Sequence, residues 1–144
     1  MKRFTQILCI LLIAVMILAV PAFAAEQASA FFMKHSCYLW KTSSTSFQVW
    51  FDVTATGGMD ELGVSEIVVQ SSSDGVNWGT EQTYYRSSYS NLTAFNTGYH
   101  SGYVTFSRAV SGLYYRARVT FYAENGNGIG EYIDNTSSIY WTVP

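Results

Sequence analysis

The sequence predicts an all-β domain of seven short antiparallel strands packed as a sandwich. Aromatic residues make up 17% of the chain. Ser, Thr and Gly punctuate it about every eight to twelve residues, the spacing of strands and turns in sandwiches. No stretch keeps an apolar repeat of helical period long enough to form a buried helix.

The first element is a leader. In "MKRFTQILCILLIAVMILAVPAFAAEQ", Lys2 and Arg3 precede an apolar run from Ile7 to Val20, followed by Pro21 and the small-residue step Ala22-Phe23-Ala24. That order is the one a secretory signal peptide takes. The run is fourteen residues long, whereas a membrane-spanning helix needs about 20. Residues 1–24 are therefore read as a signal peptide, and 25–144 as one secreted, extracellular β-sandwich domain with no membrane span. Without Lys2 and Arg3, six basic residues face ten acidic ones, a net charge of −4. A mildly acidic surface offers no electrostatic footprint for nucleic acid. Cys9 leaves with the leader, so Cys37 has no partner for an internal disulfide and reads as a small core residue.

Strands are expected over roughly 32–41, 46–56, 64–72, 77–86, 99–107, 113–123 and 131–143. In "FQVWFDVTA", alternation puts Phe47, Val49, Phe51, Val53 and Ala55 on a core face, with Gln48, Trp50, Asp52 and Thr54 on the other. "GGMDELG" suits a single helical turn between strands. "EIVVQSSSDGVNWGTEQTYY" reads as a hairpin, with Asp74-Gly75 as a two-residue turn and Trp78 just after it. The Ser-, Asn- and Tyr-rich stretch Arg86 to Gly102 reads as a long ligand-facing loop. Along "YYRARVTFYA", Tyr115, Ala117, Val119, Phe121 and Ala123 point inward, and Tyr114, Arg116, Arg118, Thr120 and Tyr122 outward. "ENGNGIGE" is a turn. In the last strand, Trp141 alternates with Ile139 and Val143 and belongs to the core.

The pattern Tyr115-x-Ala117-x-Val119-x-x-x-Ala123-x-Asn125 followed by "GNGIGEY" resembles the last two strands of a fibronectin type III domain, and "SSSDGVNW" resembles its third-to-fourth strand hairpin. The resemblance implies a fibronectin type III or immunoglobulin-like sandwich in which Tyr115 is a corner tyrosine, its ring packed and its hydroxyl bonded to nearby backbone. As a whole the chain resembles small secreted proteins of Gram-positive bacteria that have such a domain and no assigned function. That likeness implies a compartment and a fold.

Catalytic patterns are missing from the sequence. His35 and His100 are the only histidines, too few for a three-histidine zinc site, and neither HExxH, Gly-x-Ser-x-Gly nor a glycine-rich phosphate loop occurs. No enzyme, cofactor or metal centre is expected. "NLT" at Asn91 and "NTS" at Asn135 are formal glycosylation acceptors that read as loops. What remains is aromatic. Tyr38, Trp40 and Trp50 share an outer face by alternation, and Tyr84, Tyr85, Tyr89, Tyr99 and Tyr103 gather around the long loop. Aromatic platforms beside Asn and Asp suit glycan or peptide recognition, because rings give large contact area at little entropy cost. The expected function is a secreted, non-catalytic module that binds a surface glycan, cell-wall polymer or protein. The alternatives are a self-assembling extracellular protein joined through edge strands, or a small secreted inhibitor or toxin.

Overall fold

The computed structural model of the protein describes residues 30–142, so the leader lies outside the described residues. All seven strands are antiparallel and belong to one continuous hydrogen-bonded sheet. They are β1 (Phe32–Lys41), β2 (Phe47–Ser72), β3 (Gly79–Tyr85), β4 (Thr93–Phe106), β5 (Tyr114–Asn125), β6 (Gly128–Asn135) and β7 (Ile139–Tyr140).

The organising element is β2, 26 residues long. Its first half pairs with β1 on one side and β4 on the other; its second half pairs with β5 and β3. Two separate strands at 46–56 and 64–72 were expected, joined by a helical turn. Instead "GGMDELG" stays extended, because Glu61, Leu62 and Gly63 pair with β4 on one side and β5 on the other. The pairing with β4 shifts register between Thr54 and Met59. Such an irregularity bends a strand and increases its twist.

The bent sheet folds back on itself around aromatic rings. Phe47 of β2 lies 5.4 Å from both Tyr115 of β5 and Trp141, and Phe106 of β4 lies 5.8 Å from Tyr115. The expected core face is buried: Phe47, Val49, Phe51, Val53 and Ala55 turn inward, as do Tyr115, Ala117, Val119, Phe121 and Ala123. Each large side chain so buried contributes about 1.5–3 kcal/mol. Tyr122 and Thr120 point outward yet are buried too. The Arg86 guanidinium lies over the Tyr122 ring at 3.8 Å and pairs with Glu61 at 2.6 Å, covering that part of the outer face.

Tyr115 has the geometry expected of a corner tyrosine. Its ring is in the core, and its hydroxyl accepts a hydrogen bond from the Val110 backbone N–H at 2.9 Å, five residues upstream. Trp141 is core as expected, and its indole N–H donates to the Ser44 carbonyl oxygen at 2.8 Å. The expected last strand is divided into β6 and β7 by residues 136–138, where Thr136 Oγ1 accepts a hydrogen bond from the Ala117 backbone N–H.

Two turns differ from expectation. Asp74-Gly75 is not a two-residue turn; it lies in a six-residue connection, 73–78, organised by the Asp74 carboxylate. That carboxylate accepts hydrogen bonds from the backbone N–H groups of Val76 and Asn77, both at 2.8 Å, from the Asn77 side chain at 2.7 Å and from the Ser72 hydroxyl at 2.8 Å. Gly75 takes φ +73. Trp78 packs under Arg116, whose guanidinium lies 4.3 Å from its ring centroid. The two-residue hairpin turn lies elsewhere, at Gly126-Asn127, where Asn125 pairs with Gly128.

The Asn77 backbone and side-chain donors, followed by Val76 and Ser72, hold the Asp74 carboxyl well below the usual carboxylate range. A carboxyl with a depressed folded-state pKa stabilises the fold above its unfolded pKa, about 3.9, and that contribution disappears as pH falls through the folded value. NMR titration should therefore find Asp74 still ionised at pH 3. In Asp74→Ala, which removes the oxygen that accepts both bonds, the amide signals of Val76 and Asn77 should lose their protection from exchange at neutral pH. Unchanged protection would refute the capping role.

Candidate functional site

The outer face of β1, the first half of β2 and β4 is built in cross-strand rows. Strand neighbours stand about 4.8 Å apart, and same-face neighbours along a strand about 6.7 Å. The register sets Trp40–Gln48–Thr105 in one row and Tyr38–Trp50–Tyr103 in the next. Ser36–Asp52–Ser101 and Lys34–Thr54–Tyr99 follow.

The second row is a continuous strip of rings. Trp50 lies 4.6 Å from Tyr103 and 6.4 Å from Tyr38, and the Tyr38 and Trp50 planes are within 4° of parallel. Such offset pairs contribute about 0.5–1.5 kcal/mol beyond the area they bury. The Trp50 indole N–H donates to the Gln48 side-chain oxygen at 2.9 Å, which fixes the ring and leaves the two N–H donors of the Gln48 amide for other partners. Trp40 makes no ring contact among the described residues and is 60% exposed. Tyr38, Trp40, Gln48 and Trp50 together line an open cleft of about 220 Å³. Beside it the Ser36 hydroxyl donates to the Asp52 carboxylate, an acceptor group within one row of the rings.

The structure thus unites two groups of residues that the sequence kept apart. Trp40 and Trp50 join Tyr99 and Tyr103 on one face, because β4 pairs with the first half of β2. The remaining candidates lie elsewhere. Tyr84 is only 2% exposed: its ring points into the core, and its hydroxyl donates to the Thr105 carbonyl oxygen at 2.8 Å. Burial also pushes its pKa up to about 12. Tyr89 packs edge-on against Tyr84 at 5.1 Å, and Tyr85 is exposed opposite Glu66 on the outer face of the other half of the sheet. The long loop that was to carry these residues is short. Only 86–92 connects β3 to β4, with a 3₁₀ turn at Ser90–Leu92, and β4 is extended from Thr93 onward.

Beneath the aromatic face lie Cys37 and the two histidines. Burial, aided by the nearby Asp134 and Asp52 charges, pushes the Cys37 thiol up to about 12. It stays protonated at neutral pH and is a poor nucleophile. His35 packs between Phe121 at 5.0 Å and Tyr132 at 4.3 Å. His100 Nε2 bonds the Asn91 carbonyl oxygen at 2.9 Å, so both rings serve packing between elements. Among the described residues, no cluster of His, Cys, Asp or Glu is arranged to hold a metal ion.

No protein-family profile matches the chain, and no curated protein matches it. Similar solved structures include the sporulation control protein Spo0M from Bacillus subtilis, with 11% identity over 72% of this chain and a TM-score of 0.42. A protein from Archaeoglobus fulgidus has 9% identity over 78% of this chain and 99% of its own length, with a TM-score of 0.36. The chain spans about half the length of Spo0M, 47%.

Proposed function

We propose that the protein is a secreted, non-catalytic recognition module that binds an extracellular glycan or cell-wall polymer through the cleft between Trp40 and Trp50. The observation that carries this reading is an open cleft lined by Tyr38, Trp40, Gln48 and Trp50, in which Tyr38 and Trp40 are exposed and Trp50 is half-buried, with the polar side chains of Ser36 and Asp52 one row away. A folded chain gains by covering large rings, and contiguous exposed ones mark interaction sites. Saccharide rings present apolar C–H faces to stack on aromatic rings and hydroxyls to meet the polar neighbours. The sandwich assignment, fibronectin type III or immunoglobulin-like, is part of this proposal; the Tyr115 hydroxyl bond to Val110 supports it. So is secretion, for which the support is the leader-like order of residues 1–24.

Trp40→Ala should weaken binding to soluble peptidoglycan fragments or to glycan panels by about tenfold or more while the melting transition moves little, and Trp50→Ala should weaken it as much and also lower the melting temperature, because it removes the stacking on Tyr38 and Tyr103. Tyr99→Ala should weaken it less. Wild-type affinity in both tryptophan variants would refute this site.

Among the described residues β6 pairs only with β5, and it carries Ile129 and Ile133 more than half exposed on an edge strand. Exposed apolar edges template strand pairing between chains. Assembly through β6 predicts a size in solution that grows with concentration.

A further inference from the structure

The face that carries the cleft continues for two rows beyond its aromatic strip. The row Lys34–Thr54–Tyr99 lies four residues along the strands from Tyr38–Trp50–Tyr103, or about 13 Å, and the four rows together run about 20 Å. Tyr99 is 56% exposed. Lys34 is exposed and its ammonium has no partner among the described residues. The other described cations are engaged: Lys41 with the Thr142 carbonyl, Arg86 with Glu61, Arg108 with Gln82, Arg116 with Gln70 and Arg118 with Glu66. Among the described residues Lys34 is thus the cation without a hydrogen-bonded or ionic partner, and it stands at the end of the aromatic face, beside an exposed ring.

We infer that the ligand is a linear acidic glycan lying along the strands, with one sugar ring in the Trp40–Trp50 cleft and an anionic sugar held by Tyr99 and Lys34. This rests on the recognition reading and specifies its ligand. A single sugar would leave Tyr99 and Lys34 unused, whereas a chain of several units spans both aromatic sites. Between them, Ser36, Asp52 and Ser101 face the hydroxyls of the intervening units. One oxygen of the Asp52 carboxylate accepts from the Ser36 hydroxyl, and the other is left to accept from a sugar hydroxyl. Lys34 has a flexible four-carbon stem and three donors, which suit a carboxylate or a similar anion on a moving chain. An exposed pair of this kind is screened by salt, so part of the affinity should fall as ionic strength rises.

The test uses calorimetry on the wild-type protein, Lys34→Ala and Tyr99→Ala, with three probes: an alginate hexasaccharide, an alginate disaccharide and a neutral chitin hexasaccharide. The wild type should bind the acidic hexasaccharide more tightly than either of the others. Lys34→Ala should lower that affinity about two- to fivefold and leave the chitin hexasaccharide unchanged. Tyr99→Ala should weaken both hexasaccharides and spare the disaccharide. Equal affinity of the wild type for the two hexasaccharides, or equal effects of Lys34→Ala on both, would overturn the acidic-glycan inference while recognition stands. Binding of neither hexasaccharide would overturn the acidic-glycan inference, and the recognition reading would then stand or fall on the peptidoglycan fragments and glycan panels.

Discussion

Gly63→Ala should be the most damaging small substitution in the protein. A Cβ placed on Gly63 would lie 2.1 Å from the Leu92 carbonyl oxygen and 2.7 Å from the Thr93 Cα, both backbone atoms that cannot swing away. The residue also holds φ at +154, a conformation that side-chain-bearing residues rarely adopt. Gly63 is the point where β2 passes beneath the 3₁₀ turn and pairs with both β4 and β5, so relief would have to displace one of those pairings. Backbone strain and overpacking each cost about 1–3 kcal/mol, and together they should remove about 2–6 kcal/mol. In a domain whose total stability is about 5–15 kcal/mol, the melting temperature should fall by more than about 10 °C. Gly126→Ala, at a site with open space around it, is the control and should cost far less. Equal melting of the two variants would show that the close approach at Gly63 is not a constraint.

Trp141→Ala should follow in size. The indole is 1% exposed and packs on Phe47 at 5.4 Å and Tyr115 at 6.0 Å, with the Lys41 ammonium 4.6 Å from its ring centroid. Truncating a buried tryptophan costs about 3–5 kcal/mol, because the cavity collapses only in part. The Ser44 carbonyl would also lose its donor, a cost of about 1–3 kcal/mol where no water replaces it. Trp141→Phe separates the two terms, since it keeps most of the volume and loses only the hydrogen bond. Denaturant unfolding should rank wild type, Trp141→Phe and Trp141→Ala in that order of stability. If Trp141→Ala proved as stable as wild type, the segment that follows β7 would not be closing the core.

What could be read in the sequence was local. Period-two alternation identified β1 and the inward faces of β2 and β5, because one-sided burial forces that pattern. Tyr115 and Trp141 were legible for the same reason. The union of 46–56 with 64–72 into one strand was not, since Gly57-Gly58 and Asp60-Glu61 carry no strand preference; two partner strands hold that segment extended. The first part of β4 was hidden in the same way, its polar composition suiting a strand with one wet side. For Tyr84 and Tyr85, alternation requires that one point inward but does not say which. Pairing of Tyr84 with the buried Ile67 decides it. The candidate face was half legible: the alternation of Tyr38, Trp40 and Trp50 could be read along the chain, while the addition of Tyr99 and Tyr103 depends on a pairing register across about fifty residues.

The four tryptophans allow a direct test of the recognition site. Each indole N–H gives its own NMR signal, and the four sit in different environments: Trp40 and Trp50 at the cleft, Trp78 under Arg116, and Trp141 in the core. The measurement is titration of the purified protein with peptidoglycan fragments and with the alginate hexasaccharide, following those four signals. The Trp40 and Trp50 signals should shift saturably, with Trp141 and Trp78 unmoved. Saturable shifts confined to Trp78, or saturable binding with no movement at Trp40 and Trp50, would contradict recognition through this cleft.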